Sequence, residues 1–153
     1  MEKVKLEAEA KTFVRAPRDR VYDAFATAEG LNAWFTKGAE IDSRPGGPMR
    51  FRFQDWGAEH DINVTFPGRV VEAKRPERFV FQWGDEGLAH ATTVEITFEE
   101  RGRGTLVKVR EFGFAVTAEG MGSLIRNSEG WGEAVTLVKF YLEHGLVYDS
   151  AGR

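Results

Sequence analysis

The stretch Ser128-Glu-Gly-Trp-Gly-Glu-Ala-Val-Thr-Leu-Val-Lys-Phe-Tyr-Leu-Glu-His-Gly145 decides how the rest of the sequence is read. Wound at about 100° per residue, Trp131, Val135, Val138 and Leu142 fall within an arc of about 60°. Ala134 and Tyr141 widen that stripe on one side, while Glu133, Thr136, Lys139 and Glu143 lie away from it. Ser128 stands as N-cap, Glu129 in the first turn, and Gly145 at the C′ position. A helix with one apolar stripe needs an apolar surface beneath it. Leu137 and Phe140 project from the opposite side, toward other helices or a second subunit.

That surface is a sheet, because Ile41 to Phe114 reads as strands and turns. Met49, Phe51 and Phe53 alternate with Arg50, Arg52 and Gln54, the pattern of a half-buried antiparallel strand. Asp55 to Asp61 reads as a loop. A strand resumes near Asn63, bends or bulges at Pro67-Gly68 and continues through Val71. Arg75-Pro76 turns the chain into a strand with Phe79, Phe81 and Trp83 inward, closed by Gly84-Asp-Glu-Gly87. Val94, Ile96 and Phe98 share the inward face of the next strand. Arg101-Gly-Arg-Gly104 then turns into Thr105–Phe114, where Val107, Val109 and Glu111 share one parity. Before the sheet, Val4 to Arg15 forms a strand with Val4, Leu6, Ala8 and Ala10 on one face. Pro17 sits in the first turn of a short helix carrying Val21, Ala24 and Phe25, and a second short helix carries Leu31, Trp34 and Phe35. Ala115 to Asn127 is less regular, since Gly120 and Gly122 weaken a helix there, and Ala118 to Gly122 reads as a flap at a cavity mouth.

Composition narrows the function classes. The 153 residues are 42% hydrophobic and suit one domain, spanning 1–153, with a substantial core. A net charge of −3, with acids and bases interspersed, lacks the basic footprint of a nucleic-acid binder. The chain has no cysteine, so disulfides, thiolate nucleophiles and sulfur metal sites are excluded. No signal peptide or membrane-spanning run is read, which leads to an expected cytoplasmic location with no membrane insertion.

The order of strand, two short helices, six strands and a long helix goes with particular residues. These are Ala16-Pro17 with Val21-Tyr22, Leu31 with Trp34-Phe35, Gly68-Arg-Val-Val-Glu72, Pro76-Glu-Arg-Phe-Val-Phe-Gln-Trp83, Gly104-Thr105 and Gly130-Trp131. The combination resembles the START-like (SRPBCC, helix-grip) superfamily, and within it the activator-of-heat-shock-protein-ATPase branch, from Val4 to Gly145. The resemblance implies an α+β helix-grip fold: a curved antiparallel sheet of about seven strands around the C-terminal helix, with a cavity between them. In relatives such a cavity takes an apolar or amphipathic small molecule. Co-chaperone members act through a chaperone-binding surface and usually carry a second domain, for which this length leaves no room.

Glu111 is the most informative single residue, since its parity puts a carboxylate on the face that meets the helix. An unpaired buried carboxylate is costly, so it pairs, protonates or faces a wet cavity. Either it anchors a ligand, or a bulge near Gly113 turns it outward, or Arg110, Arg50 or Arg52 satisfies it. Phe51, Phe53, Phe79, Phe81, Phe98, Trp83 and Trp131 suit a flat or greasy ligand, although an ordinary core uses the same residues. Trp56, His60 and Asp61 share a loop, where His60 beside Asp61 is either a titrating base or a solvated histidine. His60, His90 and His144 lack ligand spacing, so neither metal nor cofactor is expected. No nucleophile elbow or phosphate-cradling loop is present.

The expected cavity set is therefore Phe53, Trp56, His60, Trp83, Glu111, Trp131 and Val135. The first reading is a binding domain, rather than an enzyme, for a small hydrophobic or amphipathic molecule. The alternatives are a cyclase- or aromatase-like enzyme using Glu111, His60 and an arginine, or a stress-related co-chaperone module using the outer sheet face. A homodimer and, less favoured, a chaperone partner complete the expected partners.

Overall fold

The computed structural model describes residues 5–84 and 91–147. Strand β1 (Ala8–Val14) is followed by helices α1 (Arg18–Ala26) and α2 (Ala28–Trp34). Strands β2 (Glu40–Ile41), β3 (Pro48–Trp56), β4 (Ile62–Lys74), β5 (Arg78–Trp83), β6 (Thr92–Arg101) and β7 (Gly104–Phe112) come next, and helix α3 (Ala118–His144) ends the series. The strands form one antiparallel sheet in the order β1-β7-β6-β5-β4-β3-β2. This is the helix-grip fold that the family resemblance implies. No described helix is long and apolar enough to cross a membrane.

The period-two reading of the sheet holds side chain by side chain. Met49, Phe51 and Phe53, then Phe79, Phe81 and Trp83, then Val94, Ile96 and Phe98, are all buried and belong to one cluster with Trp131, Val135, Val138 and Leu142 of α3. Val21, Tyr22 and Phe25 of α1 join it, with the Tyr22 ring edge-on to Phe98 at 5.2 Å. Burying each such side chain contributes roughly 1.5–3 kcal/mol, and together they hold helix and sheet in place.

Several boundaries differ from the sequence reading. The first strand begins at Ala8, where its pairing with β7 ends at the Ala8–Glu111 pair. Leu6 lies outside the strand and is 63% exposed, and Val4 is outside the described residues. Pro17 is the N-cap of α1 rather than a first-turn residue. Strand β3 runs to Trp56 through a register shift after Phe53, with Asp55 at φ 50°, so the predicted loop shrinks to a turn at Gly57–His60. Pro67-Gly68 keeps regular pairing with β3. The β4 irregularity falls instead between Val70 and Glu72, where the extra residue, Val71, is turned out to solvent. Phe114 lies past the end of β7, and the predicted Asp85–Gly87 turn and His90 lie outside the described residues.

The largest difference is at the start of α3. Thr117, not Ser128, is the N-cap: its Oγ1 accepts the Gly120 N–H at 2.9 Å. Ser128 lies inside the helix and donates its hydroxyl to the Leu124 carbonyl at 2.7 Å. The stretch read as a flap is thus the first turn of a helix. Gly120 is required there by proximity, since a Cβ would stand 2.0 Å from the Ala115 carbonyl oxygen. At the other end Gly145 adopts the left-handed conformation, φ 68°, and its N–H closes on the Tyr141 carbonyl at 2.9 Å. Leu137 packs partly buried against the core, whereas Phe140 is exposed beside His144.

Candidate functional site

Alternation along β7 points Glu111 inward, and the register with β6 runs unbroken through Val94–Glu111 and Thr93–Phe112. Gly113, with φ 92°, turns the chain only after the strand has ended, so no bulge reverses the parity. Glu111 is completely buried. Its neighbour Arg110 reaches the opposite sheet face and pairs with Glu7 at 2.6 Å and Glu95 at 3.4 Å. Arg50 pairs with Glu40, and Arg52 donates to the Lys37 carbonyl. None of the three arginines considered for Glu111 satisfies it.

Neutral donors do so instead. Trp131 Nε1 donates to Oε1 at 2.8 Å and Trp83 Nε1 to Oε2 at 2.9 Å. Thr92 Oγ1 donates to Oε2 at 2.5 Å, and Asn127 Nδ2 bridges both oxygens at 3.1 and 3.2 Å. A carboxylate has about four lone-pair sites, and these contacts fill them. β5, β6 and α3 each supply a donor, so the carboxylate joins helix to sheet. Both oxygens are already engaged, so a substrate reaching Glu111 would have to displace one of these donors.

Around this node the core opens. A cleft of about 540 Å³ lies between the ends of β3, β4, β5 and β7 and the first half of α3. Phe53, Trp56, Trp83, Glu111 and Trp131 line it, so five of the seven sequence-derived residues come together. Their rings contact one another: Trp83 and Trp131 lie 5.6 Å apart at 30°, and Phe53 meets Trp83 at 6.3 Å. Two do not join them. Val135 is buried in the core beneath the helix, and His60 sits in the β3–β4 turn with φ 57°; neither lines the cleft. The convergence of Glu111, His60 and an arginine required for acid–base chemistry is therefore not formed. Among the described residues no group of three potential ligands is arranged to hold a metal ion.

The cleft also contains residues that sequence reasoning passed over. Phe35 contacts Trp56 at 4.9 Å and Trp131 at 5.9 Å, and Phe66 contacts Trp83 at 5.5 Å. Asn127 stands one turn before Trp131, and that i,i+4 spacing of two donors was a usable signal once the helix is extended backward. Thr92 offered none, because its contact depends on strand pairing alone. The other charged residues of the lining are Glu119 and Arg126, both exposed, with Arg126 Nη2 donating to Ser123 Oγ at 3.2 Å.

Comparisons with known proteins agree with this architecture. The family model described as "Activator of Hsp90 ATPase homolog 1-like protein" matches residues 15–143. No curated protein matches the chain. Among solved structures, DynU16, a protein of the dynemicin biosynthetic locus, superposes with TM-score 0.75 at 21% identity over 91% of this chain and 48% of its own. The chain thus spans about half the length of that relative. The Aha1 dimer from Colwellia psychrerythraea gives TM-score 0.74 at 18% identity, covering 92% of this chain and 98% of that one. The HSP90 activator PFC0360w from Plasmodium falciparum gives 0.65 at 19%, covering 84% and 89%. At these identities the likeness is one of fold.

Proposed function

Because the chain belongs to the family of activator of Hsp90 ATPase homolog 1-like proteins, we propose that it is a binding domain whose cleft takes a small hydrophobic or amphipathic molecule. The observation that carries this reading is the open cleft of about 540 Å³, walled by aromatic rings beside a buried carboxylate. That volume lies within the range of roughly 300–1,000 Å³ of ordinary ligand sites. Binding would come from apolar burial against Phe53, Trp56, Trp83 and Trp131, with the polar residues at the base setting orientation. Catalysis is disfavoured by the neutral donors that already engage both oxygens of Glu111, and among the described residues no histidine lines the cleft. The relation to DynU16 supports the small-molecule reading only at the level of fold.

Three of the four tryptophans line the cleft, which supplies the test. Protein purified from its own host and analysed by native mass spectrometry should carry a co-purifying small molecule. Its release and return should change tryptophan emission, and Trp56→Ala should reduce that response. Protein that carries nothing, and whose emission no apolar probe alters, would contradict the reading.

A second reading, an interaction module for a heat-shock ATPase, draws on the family description and on the Colwellia and Plasmodium relatives. It predicts that added protein stimulates the ATPase of its host's Hsp90-type chaperone, with the cleft empty or filled.

A further inference from the structure

The charge balance at the base of the cleft goes further than its shape. Glu111 is completely buried, and among the described residues no lysine, arginine or histidine pairs with it. Its partners are two indoles, a hydroxyl and an amide. Such donors stabilise a carboxylate, yet as neutral dipoles they leave its charge uncancelled. The carboxyl group at the base of the cleft therefore has no cationic partner among the described residues, and the wall in front of it is largely aromatic.

The donors themselves make the second point. Trp83 and Trp131 line the cleft and spend their N–H groups on Glu111, so what they offer a guest is ring surface. Asn127 spends its Nδ2 on the same carboxylate, and its Oδ1 accepts no hydrogen bond among the described residues. The buried end of the cleft thus presents aromatic rings and an open acceptor, while these donors are consumed. An anion placed there would meet the Glu111 field with none of those donors left to receive it. A cation would meet ring faces that carry negative potential, an acceptor oxygen and an uncompensated carboxylate. At the rim, Glu119 and Arg126 stand seven residues apart along α3 with opposite signs, both exposed to screening by water and salt.

We infer that this cleft selects organic cations, such as an ammonium group or a positively charged nitrogen heterocycle carried on an apolar body, over neutral and anionic molecules of the same shape. The inference rests on the cleft being a ligand site, and adds the sign of the ligand's charge. Glu111 acts in it as a buried counter-charge held behind the indoles rather than as a direct hydrogen-bonding contact.

Three probes of matched shape test it on the full chain: benzyltrimethylammonium, its carbon isostere neopentylbenzene, and the anion phenylmethanesulfonate. Affinities come from titration calorimetry, and shifts of the Trp83 and Trp131 indole N–H resonances locate the binding. The expected order is the cation first, about tenfold tighter than the isostere, and the anion weakest. In Glu111→Gln the preference for the cation should fall to about twofold or less, with neopentylbenzene little changed. Should that variant not fold, Arg126→Gln serves instead: removing a rim cation should tighten benzyltrimethylammonium about twofold and leave the isostere unmoved. If neopentylbenzene binds as well as the cation, or the anion binds best, the charge selection is wrong while the ligand site stands. If none of the three moves the indole resonances, both fall.

Discussion

The two halves of α3 are one continuous helix with two different supports. From Trp131 onward it presses Trp131, Ala134, Val135, Val138 and Leu142 into the main core. From Ala118 to Gly130 it buries only Leu124, which joins a small separate cluster with Ala8 and Phe114. The first half holds three glycines, at 120, 122 and 130, and forms one wall of the open cleft. Its helicity rests on the Thr117 cap, that small cluster and the Asn127 tether to Glu111, since short glycine-containing helices gain little from propensity alone. One helix can thus be a core element along part of its length and the wall of an open cleft along the rest. The division falls at Trp131, which serves both.

Trp131→Ala tests the comparison most severely. It removes a buried indole and two-sided packing, and should cost about 3–5 kcal/mol in urea unfolding followed by circular dichroism. Leu124→Ala, in the weakly supported half, should fall near the bottom of the roughly 2–5 kcal/mol range for buried leucines. Equal losses would erase the distinction between the halves.

Two glycine substitutions sharpen it at smaller scale. Gly120→Ala would drive a methyl group against the Ala115 carbonyl at 2.0 Å and should destabilise by about 1–3 kcal/mol. Gly132→Ala meets nothing within 4 Å and should stabilise by about 0.4–1 kcal/mol, read as a rise in melting temperature. A stabilising Gly120→Ala would mean that the helix start is not held against the preceding loop.

The smallest effect is electrostatic and sits at the far end of the packed half. The Arg15 backbone N–H donates to Glu143 Oε2 at 2.9 Å and Lys139 Nζ lies 3.2 Å from it, while Lys139 also donates to the Phe13 carbonyl. The Arg15 amide first, then Lys139, holds the Glu143 carboxyl below its ordinary value of 4.5. A lowered folded value means the associated stability is fully present above 4.5 and fades as pH falls through the folded value. Glu143→Gln should therefore lower stability slightly at neutral pH and flatten the acid side of the stability–pH curve. An unchanged acid limb would remove Glu143 from the anchoring of the helix.

Much of the fold was legible because its signals are local. Strand parity placed Phe51, Phe79, Phe98 and Glu111 inward, and the arc of Trp131, Val135, Val138 and Leu142 defined the packed half of α3. The first half escaped notice because its glycines argued against helix and its cap, Thr117, lies eleven positions before the residue that looked like one. His60 was drawn into the expected site by chain proximity to Trp56, but the turn at Gly57–His60 leaves it off the cleft wall. Sharing a loop did not mean sharing a surface.

What the sequence determined by itself is that a carboxylate at position 111 points toward the helix, because side-chain direction in a strand follows a period of two that needs no partner to be read. The tertiary structure alone decided what it meets. Its donors lie 16, 19, 20 and 28 residues away along the chain, on two neighbouring strands and a helix. Only strand pairing and helix docking bring such distant groups within 3 Å or so, and they brought neutral donors rather than Arg110, Arg50 or Arg52.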